Sequence, residues 1–528
     1  MKCSECQKEI PEGSVFCPVC GSAQFEEPVE VISTPVMEAK EEPAPVTKIT
    51  LLSKLKKKWW ILAAAAGALA VAVALVIFLH RPSYVMYSTF EGLFLSDLSG
   101  GRPVLLLEEG YCDGAAITED QKYLFYRAWK ENIKSNDLYY LDLRSPFKKP
   151  ELLAEGVSQF YVNALGTRVA YIRDRKLFVH DMNSEKMIAE NVYRFLCDED
   201  VDTFAYAVVF PQNMDIAEMS STWYFWDGDA NPKKIGIKGS QVRYLSDDGK
   251  TLLFSASGDL FVRKDNEGIM IAKNAGLLGD IYEDGSFYYK TRNEKGHDVY
   301  RFYDGEKSID IPATENVQAG HRKQPTLWWQ DESNERNYVA IREQILEMPL
   351  GQMEGINISD DGKTLSVLME GKNTALRDLY VVDVAQGEAR RVLQDARSVL
   401  TWFVGNKLYC VASTEGMPSA LYCDGEEILP GVRQILGDYP ETGDLLVRGE
   451  TSAEGHAPVY MVCNGKPIKL MDQGRGAFFA ANGDAIVAVG SDGLTRELWR
   501  FDRSGKGTLL ATEVTALYDV DELRRPGS

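Results

Sequence analysis

The chain has 528 residues, 45% apolar and 26% charged, with a formal net charge of −20, the make-up of a globular protein of roughly two to four domains. Residues 1–58 hold 8 Lys+Arg against 9 Asp+Glu, so the acidity belongs to residues 59–528. A body this acidic is repelled by nucleic acid and by anionic lipid, which argues against a polyanion partner for it.

The first element is a pair of cysteine hooks in "MKCSECQKEIPEGSVFCPVCG": Cys3 and Cys6, then Cys17 and Cys20, with ten residues between the hooks. Thiolates two residues apart let the backbone turn around one metal, and four of them complete a tetrahedral Zn²⁺ shell with no open position. The reading is therefore a structural, four-cysteine Zn²⁺ site over residues 1–21, with a redox pair or an iron site as the alternative. The second hook, Cys17-Pro18-Val19-Cys20-Gly21, resembles the small bacterial zinc-ribbon modules that end in this way. Gln7 stands where such modules often carry glycine.

Residues 22–58 mix Pro28, Pro35, Pro43 and Pro45 with six glutamates and end in the basic run Lys54, Lys56, Lys57, Lys58. That composition cannot bury a core and predicts an extended acidic tether. Trp59–Leu79 comes next, 21 residues without a charge, long enough as a helix to cross about 30 Å of bilayer. The lysines before it predict a single-pass membrane protein with a cytoplasmic N-terminus and an extracytoplasmic C-terminal body. A cleaved signal peptide is the rival, and its charged leader would be far longer than usual.

From residue 83 to 528 the sequence is rich in strand formers, and it repeats. "SDDGKTL" occurs at Ser246–Leu252 and again at Ser359–Leu365, with weaker copies from Thr118, Asn163, Tyr282 and Ala480. Each is a tight-turn signal before an apolar strand. A second element, apolar and aromatic and ending in aspartate, appears as "GLFLSDL" from Gly92, "DLYYLDL" from Asp137, "KLFVHDM" from Lys176, "DLYVVDV" from Asp378 and "ELWRFDR" from Glu497, among ten copies. Successive copies start 37–46 residues apart, with one gap of 80. A period near forty with several strands per unit predicts an all-β fold, a β-propeller, because one such unit cannot bury both faces alone.

The turn followed by "DLYVVDV" resembles the blades of TolB-like and WD-repeat-like propellers. Only Trp226–Asp227 matches the Trp-Asp pair of true WD repeats. Ten copies exceed the usual four to eight blades, so two small rings remain open beside one large one. "TALYDVD", from Thr515, is placed to complete the last blade with the first strands. Inside the long gap "TLWWQDE", from Thr326, reads as a degraded copy, and the spacing of Tyr338, Ile341, Ile345 and Met348 predicts a helical insertion near residues 314–350.

Catalytic constellations are missing: no G-x-S-x-G elbow, no H-E-x-x-H and no phosphate-binding loop, and His80, His180, His297, His321 and His456 are scattered. Cys410 and Cys423 fall on neighbouring strands, where a disulfide competes with two separate thiols. The acidic runs at Asp198–Asp202 and Asp227–Asp229 lack a full calcium loop and read as solvated turns. The expectation is a membrane-anchored, non-catalytic propeller that binds a protein, a peptide or an envelope glycan outside, with a cytosolic protein partner at the ribbon. An extracytoplasmic enzyme with a site built from propeller loops, and a transmembrane regulator, are the alternatives.

Overall fold

The computed structural model describes residues 83–518 apart from 99–101, 109–110, 131–134, 146–148, 210–220, 229–230, 237–238, 265–266, 321–323, 332–334, 415–416, 453–456 and 491–495. Cys3, Cys6, Cys17 and Cys20, the linker 22–58 and the segment Trp59–Leu79 lie outside the described residues. Among the described residues no helix is long and apolar enough to cross a membrane; every regular element there is a strand.

The strands form eleven four-stranded antiparallel sheets. In chain order ten of them span residues 111–154, 157–190, 192–235, 241–272, 276–311, 315–347, 353–396, 398–430, 432–471 and 476–514, here blades 1 to 10. Blade 11 is assembled from both ends of this region: Ala516–Tyr518 pairs with Tyr84–Thr89, followed by Gly92–Asp97 and Val104–Leu107. The Ala516–Tyr518 part of the "TALYDVD" stretch therefore closes the fold as the sequence predicts. Ser88 links the two ends again, its carbonyl accepting the Thr515 amide at 2.8 Å and its Oγ lying 3.1 Å from the Tyr518 hydroxyl.

One closed ring follows from the packing. Each blade is apolar on both faces and must be covered twice. Eleven apolar clusters of buried residues are found, and each joins two successive blades. Two of them close the circle: Ile486 and Leu498 of blade 10 meet Val85 and Tyr87 of blade 11, and Leu93 and Leu95 of blade 11 meet Leu124 and Tyr126 of blade 1. First strands of neighbouring blades approach one another, as in blades 7 and 8 and blades 9 and 10, so they form the inner wall. Fourth strands are the exposed outer rim, as the pattern of Glu185–Glu190 shows.

The recurring motif is the third strand. All ten copies occupy it, from Gly92–Asp97 in blade 11 to Arg496–Phe501 in blade 10. The 80-residue gap holds a complete blade, which corrects the expected helical insertion near 314–350: residues 315–347 are four strands of blade 6. "TLWWQDE" supplies its second strand, Thr326–Asp331, and the unrecognised third is Arg336–Ile341. The helical spacing there is a coincidence of two strands joined by a turn. Val339 and Ile341 pack toward blade 7 while Ala340 packs toward blade 5, and Arg342, at φ +55°, breaks the run.

The "SDDGKTL" turn joins first and second strands. The Ser246 amide donates to the Thr251 carbonyl at 2.9 Å, Ser246 Oγ accepts the Thr251 amide at 2.9 Å, and Asp248 accepts the Lys250 amide at 3.1 Å. The copy at Ser359 repeats these bonds with Thr364, Asp361 and Lys363. The hydrogen bond from Ser246 and then the Lys250 amide hold Asp248 below its ordinary carboxyl value, and Asp361 is lowered by the Lys363 amide and by Ser359. Asp198 takes the serine's place in blade 3, accepting the Asp202 and Thr203 amides at 2.8 and 3.0 Å. Burial raises its carboxyl despite those bonds.

These turns lie on one face of the ring, the turn face, and touch in series. Glu119 donates its amide to Ala164 at 2.9 Å, and Glu199 to Asp247 at 3.0 Å. Tyrosine hydroxyls make the same step elsewhere: Tyr244 to the Glu283 carbonyl at 2.7 Å and Tyr439 to that of Ala481 at 2.9 Å. Third-to-fourth turns share this face, as Leu143 bonding to Lys122 and Val384 to Lys363 show.

Candidate functional site

First strands edge the channel, and their side chains alternate between the two neighbouring blades: in blade 8 Val399 and Phe403 pack toward blade 7, Trp402 and Val404 toward blade 9. Five first strands expose a polar residue, Asp113, Ser158, Arg243, Gln318 and Gln434, and those of blades 1 and 3 expose the aromatic Tyr111 and Tyr193. Blade 8 differs. Its first strand, Ser398–Val404, pairs without a bulge along its full length and carries Leu400 to solvent with 60% of its surface exposed.

Leu400 lies in a concavity of about 650 Å³ lined by the first strands of blades 6 to 9. Ile356, Val399, Trp402 and Ile435 add apolar surface, while Gln318, Asn357 and Gln434 contribute amides. The aromatic edge is fixed, because Trp402 donates its indole N–H to Asp438 of blade 9 at 3.1 Å. Glu354, the acidic residue in this lining, is paired with Arg377 of its own blade. Bulges at Met353–Gly355 and Val432–Gln434 in the flanking first strands bend them around the flat middle strand, the usual effect of an extra residue. The result is a concave apolar strip edged by neutral hydrogen-bonding groups, which suits an extended chain with apolar side chains.

A second cavity, of about 770 Å³, lies at the turn face. Its lining comes from the turns of blades 1, 2, 9 and 10. Tyr439 and Phe479, with ring centroids 5.7 Å apart, lie beside Pro440 and Leu165, and Glu119, Asp120, Asp438 and Glu441 make the lining acidic.

Neither cavity contains a described histidine. His180 ends the third strand of blade 2, where its Nδ1 accepts the Met182 amide at 3.0 Å, and His297 borders a turn of blade 5. Among the described residues no group of three or more His, Cys, Asp or Glu is arranged to hold a metal ion. Asp198 bonds within its turn, and Asp227 bonds Lys233 at 2.9 Å.

The five described cysteines are free thiols. Cys410 and Cys423 sit on neighbouring strands, yet the register pairs Cys410 with Tyr422 and Cys423 with Tyr409. Their side chains leave opposite faces of blade 8, toward blades 7 and 9 respectively. Burial pushes the thiols of Cys112 and Cys410 up to about 12 and that of Cys423 to about 11, which leaves them poor nucleophiles. The four sequence-predicted metal ligands lie outside the described residues, so their fit rests on the donor set: four thiolates in two x₂ hooks match a closed zinc shell. Sequence reasoning missed Leu400 and its neighbours. The available signal was the apolar run "SVLTWFV", but which of its residues a neighbouring blade leaves uncovered is decided only by the packing of the ring.

Comparison with known proteins gives a direct match at the N-terminus, where residues 2–24 fit the zinc-ribbon domain family. No curated protein matches the chain. Among solved structures the chain is similar to a eukaryotic initiation factor, at 10% identity over 83% of this chain and 97% of the other, with a TM-score of 0.42. It is similar to Porphyromonas gingivalis dipeptidyl peptidase 4 at 14% identity, over 76% of this chain and 59% of that one, with a TM-score of 0.35. TolB from Acinetobacter baumannii is matched at 17% identity over 44% and 64% of the two chains, with a TM-score of 0.24. The chain thus spans less than two thirds of the peptidase and TolB chains it matches. The protein carries a zinc-ribbon domain at its N-terminus and, from residue 83, an all-β propeller of eleven blades.

Proposed function

We propose that the protein is a non-catalytic binding module whose channel wall captures an extended polypeptide segment with apolar side chains. The observation that carries this reading is Leu400, an exposed leucine on a straight inner strand, beside Ile356, Trp402 and Ile435 in one concavity. Covering that strip removes apolar surface from water at roughly 25 cal/mol per Å², and the flanking amides of Gln318 and Gln434 match the backbone groups of an extended chain. In this reading Trp59–Leu79 is a single membrane anchor, residues 22–58 are its cytoplasmic tether, and the ring lies outside the cytoplasm. Cys3, Cys6, Cys17 and Cys20 hold one structural Zn²⁺, and the ribbon offers a contact for a cytosolic protein. Zinc in such a closed shell supplies folding energy to a module too small for a core.

The test uses the full-length protein in detergent. A partner recovered with saturable stoichiometry should lose at least about tenfold in affinity on Leu400→Asp, the loss expected when a charge is buried in an apolar contact. It should be unaffected by Leu509→Asp on the outer rim. Equal binding by both variants, or turnover of peptide or glycoside substrates by the purified protein, contradicts the proposal.

A further inference from the structure

The first strands of blades 1, 2, 3, 4, 6, 7 and 9 share an irregularity near the end away from the turn face: the ladder with the second strand shifts there by one residue. A bulge sets its extra residue outside the ladder and re-aims the side chain. Asp113, Ser158, Tyr193, Arg243, Glu354 and Arg433 fall at these shifts, and all but Glu354 are exposed. They form a band at one level of the channel wall.

The two acids of the band are already matched. Arg127 of blade 1 pairs with Asp113 at 2.8 Å, and Arg377 of blade 7 pairs with Glu354. The two cations are not: Arg243 of blade 4 and Arg433 of blade 9 have no ion-pair or hydrogen-bond partner among the described residues. The band is therefore cationic in a chain of net charge −20. Arg433 is the cation beside the apolar strip. It is the extra residue of the Val432–Gln434 bulge, and it precedes Gln434 of the strip's own lining. Charges farther away than about 8 Å are largely screened at physiological salt, while a pair in contact is screened much less. A carboxylate held at the strip thus meets Arg433 before it meets the acidic body.

We propose that Arg433 is a specificity-determining residue of the channel wall, which selects an extended segment carrying a carboxylate side chain next to its apolar ones. The inference rests on the channel-wall reading: Leu400 and its neighbours hold the segment, and Arg433 chooses between acidic, neutral and basic ones. The planar guanidinium matches a carboxylate with two parallel hydrogen bonds.

The experiment titrates the full-length protein in detergent, by calorimetry, with three acetylated and amidated peptides of sequence Ser-Leu-Xaa-Leu-Val-Ser, where Xaa is glutamate, glutamine or lysine. The glutamate peptide should bind about tenfold tighter than the lysine peptide, with glutamine between, the swing from attraction to repulsion across one contact pair. The preference should narrow as salt rises from ~0.05 to ~0.5 M. Arg433→Gln should remove it and Arg433→Glu should reverse it. Arg390→Glu makes the same charge change at an exposed position of the blade 7 fourth strand and should leave the order as it is. Leu400→Asp should weaken all three peptides. Equal affinities that all fall on Leu400→Asp would overturn this inference and leave the channel-wall reading standing. An order unchanged in both Arg433 variants, or reversed equally by Arg390→Glu, would also overturn it. Binding of none of the peptides would overturn both.

Discussion

Gly249 shows how a single residue can serve the ring twice. It has φ +68°, a backbone state that costs an L-residue about 1–2 kcal/mol. A Cβ there would also lie 2.6 Å from Thr203 Oγ1, in the preceding blade's turn. Gly443 has a similar φ of +72° but nothing within 4 Å of its would-be Cβ. Replacing each with alanine separates the two demands. Gly443→Ala should cost about 1 kcal/mol, the backbone term alone. Gly249→Ala should cost about 2–4 kcal/mol, because the neighbouring turn must move as well. Chemical denaturation checks this, and equal costs would mean that the close approach of the turns carries no energy. The turn itself was legible in the sequence, since Asp-Gly and the flanking serine state their local geometry. The second role was not, because Thr203 is 46 positions away and becomes a neighbour only when blades stack.

At the scale of strands, the third strand of each blade was the most readable element. It is buried on both faces between neighbouring blades, which selects a continuous apolar and aromatic run. Arg336–Ile341 escaped because it lacks the closing aspartate and contains the buried Asn337, whose amide bonds the Pro349 carbonyl at 3.0 Å. Its alternation is hidden for the same reason that the helix was expected there: both faces are covered, and apolar residues fall at every spacing. First strands were the least readable, since several carry bulges that shift register by a residue. The closing strand makes a prediction of its own. Ala516–Tyr518 offers only three residue pairs to Tyr84–Thr89, and Leu517 packs into the cluster between blades 10 and 11. Leu517→Asp puts a charge into that cluster and should destabilise the ring by about 2–3 kcal/mol. The outer-rim change Leu509→Asp should stay within about 0.5 kcal/mol. Thermal melts of the two variants decide it, and equal midpoints would show that this strand does not hold the ring closed.

For the whole molecule, the sequence announced a propeller through its forty-residue period but left one ring or two open. Local repeats state what a blade is; they do not state which blade meets the first one. That is fixed by the packing of Ile486 and Leu498 on Val85 and Tyr87 and by the pairing of Leu517 with Tyr87, contacts more than 390 residues apart along the chain. A ring this large leaves a channel whose wall is not filled by its own side chains, and one arc of that wall is apolar. The proposed function requires that arc to be a binding surface. The most direct measurement is photo-crosslinking in the membrane-embedded full-length protein, with a benzoyl-phenylalanine at position 400 and, separately, at position 509. Saturable adducts to one polypeptide are expected from position 400 and none from position 509. Equal labelling from both positions, or no polypeptide adduct at position 400, would rule out the channel wall as the capture surface.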